Sequence, residues 1–179
     1  MNKELKNILI GTYGVEKHTT EEWDEIQKKH NVIFPSDYIE FIDCYGLGAV
    51  DDFLWIYSPW TNNKYLNFFE GGKRALEAYE VCKKEYPNDF PFLSYPKKEG
   101  LLPFGVTDNG DNFYWLNTSE NPDSWKIIIY KDRSEEYLEY NLSLTEFLVS
   151  FLKGQVQCDI LPEEWQEETQ IMFNSSVEE

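Results

Sequence analysis

Residues 101–116 read LLPFGVTDNGDNFYWL, and this stretch decides the fold class. Two apolar runs, 101–106 and 113–116, flank a polar segment that contains the pair Asn109-Gly110. An Asn-Gly pair between apolar runs is typical of a tight β-hairpin, in which both turn residues take a positive φ. The stretch therefore predicts two antiparallel strands joined by that turn.

Further strands are indicated on both sides of this hairpin. The apolar run 53–57 lies between Asp51-Asp52 and Ser58-Pro59, which is typical of a short buried strand. The run 125–130 follows a polar turn and predicts another strand. Residues 65–69 are compatible with a strand or with the lead into a helix.

Four helices are indicated by capping residues and apolar spacing. Thr19 with Glu22, and Ser143 with Glu146, have the spacing of a capping box. Ser36 is the predicted cap of a helix that follows Pro35. The predicted helices cover 19–31, 36–46, 71–85 and 143–154.

Helices at both ends of a run of strands predict an α+β fold, an antiparallel β-sheet flanked by helices. A chain of 179 residues suffices for one such domain and is short for two. We divide it into an N-terminal helical extension (1–18), the α+β domain (19–154) and an acidic C-terminal tail (155–179). The tail retains Trp165 and Phe173, and we expect part of it to dock as a helix.

The net charge of −17 restricts the partners of the protein. Such a charge repels nucleic-acid phosphates and anionic membrane surfaces, and it speeds the encounter with a basic protein. We therefore expect a basic protein partner, no direct binding of nucleic acid and no binding to membranes. The alternative is that the acidity serves solubility alone.

The cysteines and the N-terminal residues bear on the cellular compartment. Cys44, Cys82 and Cys158 are odd in number and far apart, which does not suit a disulfide framework or a zinc site. The first ten residues are charged and lack the apolar region of a signal peptide. These features predict a cytoplasmic protein.

The sequence offers no motif for catalysis or for cofactor binding. The glycine pairs at Gly46 and Gly71 lack the spacing of phosphate-binding loops. Neither His18 nor His30 is accompanied by a nucleophile motif. Residues 108–112 lack the ligand spacing of a calcium loop. We expect no cofactor, no metal and no enzymatic activity.

The order of several short segments resembles a known family. Phe34-Pro35-Ser36-Asp37-Tyr38-Ile39-Glu40-Phe41, followed by Tyr45-Gly46-Leu47-Gly48, is similar to the opening of a SUKH superfamily domain. Leu102-Pro103-Phe104-Gly105, Gly110-Asp111 and Phe113-Tyr114-Trp115 resemble its second signature block. The resemblance extends from Thr19 to Leu152.

This resemblance implies a single SUKH-like α+β domain that binds proteins. Many members of the superfamily are immunity proteins, which neutralise a cognate bacterial toxin, commonly a nuclease, by masking its active site. Others are intracellular regulatory or scaffold modules of the SMI/KNR type that bind a non-toxin partner. The acidic charge agrees with the first role, because a nuclease is basic where it holds phosphate.

Five residues are the candidate partner-binding residues. Asp51 and Asp52 follow a glycine-containing loop, and Asp108 and Asp111 flank the hairpin turn, where loops on a rigid scaffold often bind. Trp60 is a candidate aromatic anchor. The alternative is that the aspartates only form turns and that the tryptophan belongs to the core.

Overall fold

The computed structural model describes residues 2–11 and 17–176, and these residues form one sheet with helices on both faces. The helices are α1 (Lys3–Ile8), α2 (Thr20–His30), α3 (Ser36–Tyr45), α4 (Phe68–Glu85) and α5 (Leu144–Leu152). The strands are β1 (Leu9–Gly11), β2 (Gly48–Val50), β3 (Leu54–Ile56), β4 (Leu93–Ser94), β5 (Gly100–Thr107), β6 (Asn112–Leu116), β7 (Lys126–Tyr130), β8 (Tyr137–Tyr140) and β9 (Ile171–Ser175). The predicted α+β fold is confirmed.

The sheet is mostly antiparallel, with the strand order β1-β9-β2-β3-β5-β6-β7-β8. The parallel pairs are β1 with β9 and the short β4 with β5. Within the described part of the chain, no helix is both long and apolar enough to cross a membrane.

The predicted hairpin is present as β5 and β6, but its turn differs from the predicted one. The Gly110 N–H donates to the Thr107 carbonyl at 2.9 Å, and the Thr107 N–H donates to the Asp111 carbonyl at 2.9 Å. Only Gly110 takes a positive φ (95°), whereas Asn109 does not. This is a type I turn followed by a left-handed glycine. The prediction of positive φ at both turn residues was therefore wrong.

The predicted helix starts are confirmed at both capping boxes, Thr19 with Glu22 and Ser143 with Glu146. The cap of α3 was predicted one residue too late, because Pro35 is the N-cap and no side chain caps this helix. Residues 65–69 lead into α4, since the Asn67 side chain accepts hydrogen bonds from the next turn and starts the helix at Phe68.

The C-terminal tail docks mainly as a strand and not, as predicted, mainly as a helix. Residues 171–175 form β9, which pairs with β1 on one side and with β2 on the other. Along this strand Phe173 is buried and Met172 is exposed, which is the alternation of a strand with one face on the core. A short 3-10 helix (Glu163–Gln166) precedes it.

Both faces of the sheet are covered, which explains the continuous apolar runs of its central strands. In β6, Phe113 and Trp115 point into the larger core with α1, α2, α3 and α5. Tyr114 points to the other face, where it joins Tyr79 of α4 and Tyr130 of β7 in a second core. The second core is rich in tyrosine.

This second core makes stability sensitive to alkaline pH. Burial raises the pKa of Tyr79 to about 12 and raises the pKa of Tyr114 and Tyr130 well above the usual range. In the unfolded chain tyrosine ionises near pH 10. We therefore expect the stability to be full below about pH 10 and to fall as the pH rises toward 12, because only the unfolded state then loses these protons.

Chemical denaturation at a series of pH values measures this loss. In Tyr114→Phe the alkaline fall should be less steep, because a buried titrating group has been removed. In Tyr65→Phe, which changes an exposed ring, it should match the original protein. Equal alkaline profiles for all three proteins would contradict the assignment.

Candidate functional site

The topology brings three turns to one end of the sheet. Strands β2, β5 and β7 run toward this end, and β3, β6 and β8 run away from it. The segment before β9 reaches the same end, because β9 is antiparallel to β2. We call the exposed carboxylates here the acidic edge: Asp51, Asp52, Asp108, Asp132, Glu135, Glu136, Glu163, Glu164, Glu167 and Glu168. The cations on these segments are Lys131 and Arg133.

The turn between β2 and β3 holds Asp51 and Asp52 in an unusual backbone conformation. Their φ values are 49° and 53°, and the Phe53 N–H donates to the Val50 carbonyl at 3.0 Å, as in a type I′ turn. The Asp51 carboxylate accepts a hydrogen bond from Trp165 Nε1 at 2.9 Å. The Asp52 carboxylate makes no hydrogen bond or ion pair with the described residues, so it is available to a partner.

We expect Asp52→Gly to stabilise the protein by about 1 kcal/mol, because glycine adopts the left-handed conformation without the steric cost of a Cβ. The same change removes an exposed carboxylate from the acidic edge. Urea denaturation measures the gain. Asp52→Ala is the matched control and should bring no such gain, since alanine keeps the Cβ. A loss of stability in Asp52→Gly would show that the turn needs the aspartate side chain.

Asp108 links the first two turns of the acidic edge. Its N–H donates to the Phe53 carbonyl at 2.9 Å, and its carboxylate accepts from Trp55 Nε1 at 2.8 Å. The side chain nevertheless remains exposed. The structure therefore brings three of the four predicted aspartates together: Asp51, Asp52 and Asp108.

Asp111 does not belong to this surface, contrary to the prediction that it binds a partner. Its side chain is 5% exposed, and its carboxylate accepts hydrogen bonds from the Thr107 hydroxyl and the Asp132 N–H. These bonds fix the hairpin turn to the neighbouring β7–β8 turn. The role of Asp111 is to position the acidic edge.

Trp60 lies away from the acidic edge, beyond the end of β3 that points in the opposite direction. Its ring stacks on His18 with centroids 3.9 Å apart, and it meets the edge of Trp23 at 5.3 Å. The Asp43 carboxylate accepts from Trp23 Nε1 at 3.1 Å and thereby holds this aromatic cluster. The five candidate residues consequently do not form one site.

The acidic residues of the β7–β8 turn were missed, because β8 itself was not predicted. Asp132, Glu135 and Glu136 stand between an apolar run and the aromatic residues Tyr137 and Tyr140. The polar segment 131–136 after a strand was the available signal for a hairpin. Among residues 2–11 and 17–176, no three His, Cys, Asp or Glu side chains are grouped to hold a metal ion.

Most of the chain matches a known protein family. Residues 17–150 match the family described as SMI1 / KNR4 family (SUKH-1), which covers more than half of the chain. No curated protein and no solved structure matches it. Strands β1 and β9 lie outside the matched residues and extend the same sheet.

Proposed function

The chain belongs to the SMI1/KNR4 family (SUKH-1), and on that premise we propose that it is a non-catalytic binding protein that neutralises a basic protein toxin. The toxin is proposed to be a nuclease, and the protein to act as an immunity protein by masking the active site. The acidic edge is the observation that carries this proposal.

The charge distribution supports a basic target. Six exposed carboxylates of the acidic edge lie in the three turns and four on the segment before β9, whereas the same segments carry only Lys131 and Arg133. A nuclease must present positive charge where it binds phosphate. Opposite surface potentials raise the rate of encounter and orient the two proteins before contact.

The rigidity of the turns also supports the proposal. The Asp51 carboxylate accepts a hydrogen bond from Trp165, and the Asp108 carboxylate accepts one from Trp55. The buried Asp111 carboxylate links the β5–β6 turn to the β7–β8 turn by a hydrogen bond. Side chains that are already ordered lose little conformational entropy when a partner binds. Exposed ion pairs contribute little affinity each, so we assign the acidic edge mainly to steering and to orientation.

Capture of the partner from the native host tests the function. The tagged full chain is incubated with lysate, treated with nuclease to remove bridging nucleic acid, and washed at low and at high salt. Mass spectrometry then identifies what remains bound. We expect one basic protein in stoichiometric amount, which is toxic when expressed alone and harmless when co-expressed with this chain. Several non-toxic partners would instead identify a regulatory or scaffold module of the SMI/KNR type.

Two variants of equal net charge test whether capture of the partner depends on the acidic edge. The edge-neutral variant carries Asp52→Asn, Asp108→Asn, Glu135→Gln and Glu136→Gln. The control variant carries Glu21→Gln, Asp24→Asn, Glu25→Gln and Glu120→Gln, which are exposed positions on α2 and on the connection between β6 and β7. Capture at low salt should weaken in the edge-neutral variant and persist in the control variant.

A further inference from the structure

A pocket lies between α4 and the face of the sheet formed by β6 and β7. Its volume is about 370 Å³. The walls are mostly aromatic or small and apolar: Ala75, Ala78, Tyr79, Phe90, Tyr114 and Tyr130. The mouth is formed by residues 131–135 of the β7–β8 turn, together with Asn112. The pocket therefore opens beside the acidic edge.

The hydroxyl group of Tyr114 is the unusual feature of this pocket. Tyr114 is 2% exposed, and its hydroxyl makes no hydrogen bond with the described residues. The other two wall tyrosines are satisfied, since the Tyr79 hydroxyl accepts from the Phe92 N–H at 2.9 Å and the Tyr130 hydroxyl donates to the Asp89 carbonyl at 3.4 Å. Because this hydroxyl is not fully enclosed, it borders the pocket and is open to a hydrogen bond from a ligand with a polar group.

The charged groups at the mouth restrict the ligand. Asp132 and Glu135 supply carboxylates, and Lys131 and Arg133 supply cations. Arg133 is 92% exposed, and its Nε lies 3.3 Å from Asp132 Oδ2. An ion pair so exposed is weak, and an incoming cation can replace Arg133 at this carboxylate.

We infer that this pocket receives an arginine side chain of the basic partner, with the guanidinium against the tyrosine rings and within reach of the Tyr114 hydroxyl and the mouth carboxylates. The inference rests on the proposed function, because it assigns the residue type by which the partner is anchored. It adds an affinity-determining contact to the steering that the acidic edge provides.

The chemistry of the pocket favours arginine over other side chains. The faces of aromatic rings attract cations, and the planar guanidinium stacks on them while its five N–H groups remain free to donate. A neutral aliphatic side chain leaves the Tyr114 hydroxyl without a partner. Arginine is also among the residues that most often dominate binding when they enter a desolvated pocket.

The test uses N-acetyl-arginine amide as the probe and the isotope-labelled full chain, followed by NMR. We expect saturable shifts at residues of α4, β6 and β7, with a dissociation constant on the order of 1 mM, as befits so small a ligand. Tyr114→Phe, which removes only the hydroxyl, should weaken binding about tenfold. The neutral probe N-acetyl-leucine amide should bind more weakly than the arginine probe.

A matched pair of variants on α4 locates the binding. Ala78→Trp fills the pocket from an exposed wall position and should abolish the shifts, whereas Val81→Trp, on another side of the helix, should leave them intact. The inference is overturned if the arginine probe gives no saturable shifts, if the neutral probe binds as tightly, or if Ala78→Trp leaves the binding unchanged.

Partner capture separates this inference from the proposed function. A basic toxin captured equally by the original chain and by Ala78→Trp supports the proposed function and overturns the arginine pocket. Binding of the arginine probe in a chain that captures no basic partner overturns the proposed function and supports the chemistry of the pocket.

Discussion

Phe173→Ala is expected to lower the free energy of unfolding by about 3–5 kcal/mol, the usual cost of removing a buried aromatic ring. Phe173 is 1% exposed, and its ring lies 5.7 Å from Phe41 and 5.0 Å from Tyr45 between centroids. The substitution therefore opens a cavity between β9 and α3. Urea denaturation measures this loss. The slope of the unfolding free energy against urea concentration should stay unchanged, so that the shift of the midpoint reports stability alone.

Met172→Ala is the matched control for this prediction. Met172 precedes Phe173 in the same strand, points to the opposite face and is 46% exposed. Surface substitutions of this kind change stability by about 0.5 kcal/mol or less, and the control should do the same. Similar losses in the two variants would mean that β9 does not pack on the core as described.

The edge-neutral variant is expected to associate with the captured partner at least about tenfold more slowly at low salt, because steering by complementary charge raises association rates by about 10–1000-fold. The asparagines introduced at Asp52 and Asp108 keep an oxygen that can accept a hydrogen bond, so the turns should persist. Stopped-flow mixing at several salt concentrations measures the rate. The difference should shrink at high salt, where these charges are screened.

The control variant separates a local from a global effect of charge. It loses the same number of negative charges at exposed positions on α2 and on the β6–β7 connection, which lies at the opposite end of the sheet from the three turns. We expect its association rate to stay close to that of the original chain. An equal slowing in both variants would assign the steering to net charge and would remove the acidic edge from the mechanism.

The parts of the fold that local chemistry determines were predictable from the sequence. The hairpin of β5 and β6 followed from two apolar runs around a turn with a glycine, and the capping boxes at Thr19 and Ser143 placed two helix starts. Each of these signals lies within a few residues of the element that it specifies. The family resemblance, carried by short segments in a fixed order, was confirmed over residues 17–150.

The parts that depend on distant contacts were not predictable in this way. Part of the tail was expected to dock as a helix and β9 was not predicted, because its apolar residues have no neighbour in sequence to show that they pair with β1 and β2. Asp111 looked like a surface turn residue, and only the fold shows that the Thr107 hydroxyl and the Asp132 N–H surround its carboxylate. The acidic edge likewise exists only because antiparallel pairing stacks three turns at one end.

The position of β9 between β1 and β2 has a consequence for the folding of the protein during its synthesis on the ribosome. Synthesis delivers β1 and β2 early, and the strand that must join them arrives only after residue 171 has been added. Until β9 has been added, β1 therefore lacks its only described partner, and one edge of β2 stays open to other chains. Pairing across such long sequence separations is slow to form. The nascent chain is thus expected to finish this side of its sheet only after residue 175 leaves the exit tunnel.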